Sequence, residues 1–148
     1  MRNNKTTNNE DKMKTKKIEN FKMNKKVYKL RRQVIDLIYE AKNFGIELPR
    51  IEVRIGKPKK GHEHVLGVGR MTKRIIWITD NAINRSTEYL RHVVFHEIGH
   101  AVFGLEHNEK CPLMASEIDE PINRRQALLT LEQYAYEYKN ITLIEKRA

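Results

Sequence analysis

The chain has 148 residues, of which 39% are hydrophobic, and it carries a formal net charge of +10. This length and composition suit one domain with a modest core and exclude two separately packed domains. No stretch of about 18 or more apolar residues occurs, so no membrane-spanning helix is expected. The charge is concentrated at one end. Residues 1–32 hold 12 Lys or Arg and 3 Asp or Glu, whereas residues 33–148 hold 17 and 16.

The N-terminal segment, residues 1–23, predicts a disordered basic tail because it is rich in Lys and Asn and poor in large apolar side chains. It lacks the apolar run of a secretory signal, and Cys111 is the only cysteine, so we expect a cytoplasmic protein without an internal disulfide. One hypothesis is that the tail binds nucleic acid or another polyanion weakly. The alternative is a tail that only aids solubility, since no nucleic-acid fold motif accompanies it. We expect a monomer.

The segment 24–148 predicts a single α+β domain that opens with a helix. Apolar residues recur at helical spacing from Val27 to Ala41, and Asn24 before them is a suitable N-cap. Gly45, which lies just beyond the last periodic residue, is predicted to end this helix.

Three short segments predict a small mixed β-sheet, namely residues 51–55, 65–71 and 74–79. The first alternates apolar and charged residues, and the third is rich in β-branched residues. The second contains Gly67 and Gly69, which suggest close approach of another backbone. The short link Thr72-Lys73 predicts a hairpin between the second and third strands.

Two further helices are predicted in the C-terminal half. Ser86 is a suitable N-cap for a helix that runs from Thr87 to about Phe103 and turns an apolar stripe towards the core. Gly104 is placed to end that helix. After a polar, irregular segment, Pro121 is expected to open the last helix.

The helix that follows Ser86 carries the sequence His96-Glu97-Ile98-Gly99-His100, an HExxH pattern. Residues four apart lie on nearly the same helix face about 6 Å apart, so the two imidazoles can share one Zn²⁺ ion at about 2.0–2.1 Å. Glu97 lies on the adjoining face and can take the proton of a zinc-bound water that attacks a carbonyl. The pattern therefore predicts a zinc metallopeptidase with His96 and His100 as ligands and Glu97 as the catalytic base.

Residues 96–107, HEIGHAVFGLEH, resemble the long zinc motif HExxHxxGxxH of metzincin peptidases, above all of the matrixin and archaemetzincin branches. The resemblance implies that the chain reverses at Gly104, that His107 is the third zinc ligand, and that Met114 lies in a Met-turn under the metal. It also implies a zincin-like fold, with an N-terminal helix, mixed sheet, active-site helix, Met-turn-like loop and C-terminal helix. The sequence departs from the motif by one extra residue between His100 and Gly104.

Other interpretations stay open on the same residues. The Gly-rich strand, the following strand and HExxH also resemble SprT-type proteases, some of which act on proteins bound to DNA. A non-catalytic domain that binds zinc for stability would have the same ligands without turnover. Glu106 or Glu109 is an alternative oxygen ligand to His107. For either protease, the expected substrate is a protein or peptide.

Three other histidines are not expected to be zinc ligands. His92 lies one turn before His96, and a third ligand at that spacing on one helix would be unusual. His62 and His64 flank Glu63 in a polar loop, where we expect solvated side chains.

Overall fold

The structure is a computed structural model that describes residues 4–57, 67–70 and 74–147. Within these residues the order is α1 (Asn4–Asn43), β1 (Glu52–Gly56), β2 (Gly67–Arg70), β3 (Ile75–Thr79), α2 (Thr87–Ala101) and α3 (Arg124–Arg147). Short 3-10 turns lie at Asp80–Ala82 and Pro112–Met114. The predicted α+β class is confirmed. None of the described helices combines the length and the apolar character needed to cross a bilayer.

The sheet has three strands in the order β1-β3-β2, with β3 at its centre. β1 pairs with β3 in parallel and β2 pairs with it antiparallel, so the sheet is mixed, as predicted. Among the described residues β2 pairs only with β3, which makes β2 an edge strand. The predicted hairpin link Thr72-Lys73 and the loop histidines His62 and His64 lie outside the described residues.

The hydrophobic core lies between the sheet and the three helices. Each of these elements contributes fully buried side chains, including Val34, Ile76, Val94, Ile98 and Leu131. α2 contacts α1, α3 and the sheet, and eleven of its fifteen residues are buried. The helix that carries the HExxH pattern is therefore held on most sides, which fixes the position of any side chain that projects from it.

The N-terminal segment differs from the sequence prediction. Instead of a disordered tail that ends at residue 23, α1 runs without interruption from Asn4. Residues 4–43 contain no Gly or Pro and include ten Lys side chains, which favour helix, so a helix nucleated by the packed half extends outward. Every side chain of residues 9–26 is exposed, and burial begins at Val27 and Leu30.

Side-chain caps set the residues at which α2 and α3 begin. The Ser86 hydroxyl accepts a hydrogen bond from the Tyr89 N–H at 3.2 Å, which confirms Ser86 as the N-cap of α2. The prediction that Pro121 opens α3 is wrong. The Asn123 side-chain oxygen accepts from the Gln126 N–H at 2.8 Å, so Asn123 is the N-cap and α3 starts at Arg124.

Candidate metal centre

Three imidazoles meet at the C-terminal end of α2. His96 and His100 project from the helix, His107 comes from the segment that follows it, and the ring centroids are 4.7, 5.2 and 4.9 Å apart. Each residue offers a ring nitrogen, and these nitrogens all lie within 4.8 Å of one another. The structure thus brings the three predicted ligands together in a cluster that can hold a metal ion.

Two backbone carbonyls orient the helical histidines. His96 Nδ1 lies 2.7 Å from the Leu113 carbonyl, and His100 Nδ1 lies 2.5 Å from the Leu105 carbonyl. Because a carbonyl oxygen only accepts, each Nδ1 must carry the proton and donate. Both neutral rings therefore present an unprotonated Nε2, and these two atoms face each other at 3.0 Å. Two lone pairs at this distance repel unless a cation lies between them, which is the orientation of metal-ligating histidines.

Both helical histidines are held in the neutral form that metal binding requires. Burial lowers the pKa of His96 to about 4, against the opposing effect of the Leu113 carbonyl. Burial also lowers the pKa of His100, and the Leu105 carbonyl opposes the shift there. Neither ring has to lose a proton near neutral pH before its Nε2 can bind a cation.

The conformation of Gly104 accommodates the extra residue between His100 and Gly104. Its φ is +64°, in the left-handed region, and its N–H donates to the His100 carbonyl at 3.2 Å. Helical hydrogen bonding therefore continues past the last residue of α2, and Phe103 is added to the helix end. Phe103 is buried, with its ring centroid 5.6 Å from that of Tyr138. The reversal at Gly104 then leads the chain back to place the His107 ring beside the other two.

The segment around Met114 packs against the helix between the two ligands. Met114 is buried, and a Cβ atom on Gly99 would lie only 2.6 Å from the Met114 sulfur. The Asn108 N–H donates to the Met114 carbonyl at 2.8 Å, which ties this segment to the one that carries His107. Met114 therefore packs against α2 at Gly99, between the two helical histidines, and its neighbour Leu113 supplies the carbonyl that orients His96.

Glu97 is buried beside the cluster. Its Oε1 atom lies 3.9 Å from His96 Nε2, while its buried Oε2 has no hydrogen-bond partner in the described part of the chain. Burial raises the pKa of this carboxyl to about 8. A buried carboxyl group that has an oxygen without a partner, beside a cluster of imidazoles, is costly for folding alone and is typical of a functional site.

The alternative oxygen ligands stay outside the cluster. The Glu109 carboxylate accepts a hydrogen bond from the Ser116 N–H at 3.0 Å and braces its own loop. Glu106 is exposed, and neither glutamate belongs to the group of described residues that can hold a metal.

His92 and Cys111 have other partners. His92 is buried and accepts a hydrogen bond through Nδ1 from the Ile122 N–H at 3.2 Å, so it supports the segment before α3. The Tyr134 hydroxyl donates to Cys111 Sγ at 2.8 Å.

Some residues that shape the site have no sequence signal. Leu105 and Leu113 orient the histidines through their backbone carbonyls, so their side chains give no indication of this role. Arg91 offers a weak signal, as a charged residue within an apolar helix. It is buried and donates to the Glu40 carboxylate of α1 through Nε at 2.7 Å and through Nη2 at 3.1 Å.

Comparisons of the chain with protein-family models, with curated proteins and with solved structures found no match. The function of the site is therefore inferred from its own geometry and chemistry.

Proposed function

We propose that the chain is a zinc-dependent metallopeptidase of the zincin type, in which His96, His100 and His107 hold the metal and Glu97 is the general base. The observation that carries the proposal is the pair of unprotonated Nε2 atoms that face each other at 3.0 Å with a third imidazole beside them. Three imidazole nitrogens with an open fourth position form a donor set of catalytic zinc. His96, His100 and His107 would hold the ion, and their ring nitrogens already lie within 4.8 Å of one another.

The role of Glu97 follows from its position. Zinc supplies Lewis acidity that polarises a substrate carbonyl and makes a nearby water more acidic. A cation bound at the histidines would favour the ionised form of Glu97 against the effect of burial. The carboxylate can then accept the proton of the attacking water, because it lies next to the ligand cluster and one oxygen has no other described partner. The same carboxyl group can then pass that proton to the departing amine. Its burial keeps bulk water from competing for the proton.

The edge of the sheet supplies a binding surface for an extended substrate. β2 contacts α2 and, within the described residues, pairs with a strand on one side only. An edge strand next to an active-site helix can bind a peptide by strand addition through backbone hydrogen bonds. Gly67 and Gly69 lie on this strand, and glycine allows another backbone to approach closely. We therefore propose extended protein or peptide segments as the substrate class.

Metal analysis combined with one substitution tests the proposal. The purified chain should hold about one zinc ion, in accordance with a single three-ligand site, and the His96→Ala, His100→Ala double variant should hold none. Glu97→Gln should retain zinc and fold but lose at least about 100-fold in hydrolysis of a generic unfolded protein, because glutamine cannot accept the proton. Glu88→Gln is the matched control, since Glu88 is exposed on the first turn of the same helix.

Each contrary result has a distinct meaning. Stoichiometric zinc in the double histidine variant would refute the metal site. Wild-type hydrolysis by Glu97→Gln would show that Glu97 is not the base. Zinc binding without any cleavage by the wild-type chain would leave the alternative of a non-catalytic, zinc-stabilised domain.

A further inference from the structure

The positive charge of the molecule lies on the exposed half of α1. Residues 9–32 contain ten Lys or Arg and three Asp or Glu, for a net charge of +7. All side chains of residues 9–26 are exposed, and this stretch is about 27 Å long at the helical rise. None of its basic residues forms an ion pair with another described residue. The charge is therefore available to an external partner.

The distribution of side chains around the helix indicates the shape of that partner. At about 100° per residue, the basic side chains of this half fall on all sides of the helix and form no single stripe. The exposed apolar side chains are equally dispersed, with Met13 61%, Ile18 56%, Phe21 70% and Met23 48% exposed. A helix that lies on a membrane needs one apolar face and an opposite charged face, which this half lacks. Basic charge on all sides suits a partner that presents negative charge on both flanks of the helix.

We propose that α1 binds duplex DNA, with the exposed helix of residues 9–26 in the major groove and its lysines directed to the phosphates of both walls. The major groove is about 12 Å wide and admits an α-helix, whose diameter with side chains is about 10–12 Å. Lysine side chains neutralise phosphates without reading bases, so binding is independent of sequence and falls steeply with salt. The deep, narrow major groove of duplex RNA does not admit the helix in this way. The inference is independent of the metal site.

A charge-neutralised variant tests this surface. In the full chain, Lys14, Lys17, Lys22 and Lys25 are each replaced by Gln, which has similar helix propensity. The control variant replaces Arg50, Lys57, Lys110 and Arg125 by Gln, since these four are exposed on the packed domain and the change in charge is identical. Binding of a fluorescent DNA duplex of roughly two helical turns, measured by anisotropy, gives the affinities. Circular dichroism verifies the helix content of both variants.

The expected result has two parts. Affinity of the wild-type chain should fall on the order of 100-fold to 1,000-fold between about 50 and 200 mM salt, as for several phosphate contacts. At low salt the α1 variant should lose on the order of 100-fold, whereas the control should stay within about threefold of the wild type. Absent binding, or equal loss in both variants, would overturn the proposal. Equal affinity for single-stranded DNA, or tighter binding to vesicles of anionic lipid, would also overturn it, in favour of a different surface or a membrane.

Discussion

Two of the three clustered histidines are held by hydrogen bonds to the backbone, and the third is exposed. His96 and His100 each donate from Nδ1 to a backbone carbonyl, so both the tautomer and the ring orientation are set before a metal arrives. His107 is exposed and makes no hydrogen bond with another described residue, although its ring lies within 5.2 Å of both other rings. We therefore expect His107 to be held less firmly in the cluster than the two helical histidines.

The first prediction concerns this third ligand. His107→Ala should weaken zinc affinity by at least about 100-fold, because one of three protein ligands is lost and even partners of ligands are worth 10-fold to 100-fold. Competition with a chromophoric chelator measures the affinity. Glu106→Ala is the control, since Glu106 is an exposed neighbour on the same segment and should leave the affinity within about threefold. A large effect of Glu106→Ala with none of His107→Ala would assign the third position to a carboxylate.

A second prediction at this scale concerns the contact under the ligands. Gly99→Ala should lower the free energy of unfolding by roughly 1–3 kcal/mol, because the new methyl group would lie 2.6 Å from the Met114 sulfur in a buried site. Displacement of Met114 also shifts the adjacent Leu113 carbonyl, so zinc affinity should fall as well. Urea unfolding at a fixed free zinc concentration measures the first effect.

The double variant with Met114→Ala is the internal control for this contact. Met114→Ala alone should cost roughly 2–5 kcal/mol, since it leaves a cavity in the core. With the sulfur removed, Gly99→Ala should cost nothing further and can gain up to about 1 kcal/mol from the helix propensity of alanine. Simple addition of the two single effects would show that Gly99 and Met114 do not interact.

An ion-pair network joins the three helices. Arg91 of α2 is buried and forms a bidentate pair with Glu40 of α1, while Arg124 of α3 lies 3.4 Å from the same carboxylate. Burial alone would raise the pKa of Glu40, but the hydrogen bonds and charges of the two arginines outweigh it and hold the pKa below its usual value. Glu40 therefore links α2, the helix that carries His96 and His100, to α1 and α3.

Glu40→Gln should lower the free energy of unfolding by roughly 1.5–3 kcal/mol near neutral pH, because the buried Arg91 loses a charge-assisted partner. A carboxyl group with a lowered folded-state pKa stabilises the protein above its unfolded pKa, and this contribution is lost as pH falls through the folded value. The difference between wild type and variant should therefore shrink in acid. Urea unfolding of both proteins near neutral pH and at about pH 3 measures it. A difference that is unchanged between the two conditions would contradict this account of the network.

At the scale of the whole molecule, α1 has two parts with different roles. From Leu30 to Ala41 it packs into the core, whereas residues 9–26 contact solvent with every side chain. The outer part buries no apolar surface against the domain, so it contributes little to stability. The candidate metal centre lies in the packed domain and the proposed DNA-binding surface lies on the outer helix, so the two are separate parts of the molecule.

Deletion of residues 1–23 tests this separation. The melting temperature should change by less than about 3 °C, because no buried contact is removed from the domain. Zinc content should stay at that of the full chain, while DNA binding should be lost. Thermal unfolding by circular dichroism and metal analysis measure the first two outcomes. A fall of ten degrees or more, on the order of 2 kcal/mol, would show that the outer helix does pack against the domain.

Local sequence patterns were enough to predict the packed elements of this protein and two of the three clustered ligands. Periodicity and composition predicted the three strands, α2, α3 and the packed part of α1 near their observed positions, because these patterns are set by local geometry. The four-residue spacing of His96 and His100 needs only a helix to bring their rings together. The Ser86 cap could also be predicted, since its hydrogen bond is local. The prediction of Pro121 as a helix start failed because Asn123, a stronger side-chain cap, follows it.

The position of the third histidine, the orientation of His96 and the length of α1 could be seen only in the tertiary structure. His107 lies beside the other two rings because the chain reverses at Gly104, which has a positive φ. This reversal accommodates the extra residue between His100 and Gly104. The orientation of His96 rests on the Leu113 carbonyl, seventeen residues away and invisible in a side-chain pattern. The extension of α1 into the basic tail was likewise missed, because composition reports a lack of burial but not whether a packed helix propagates outward. Local geometry can be read from neighbours in the chain, whereas these features depend on where the folded backbone brings remote atoms together.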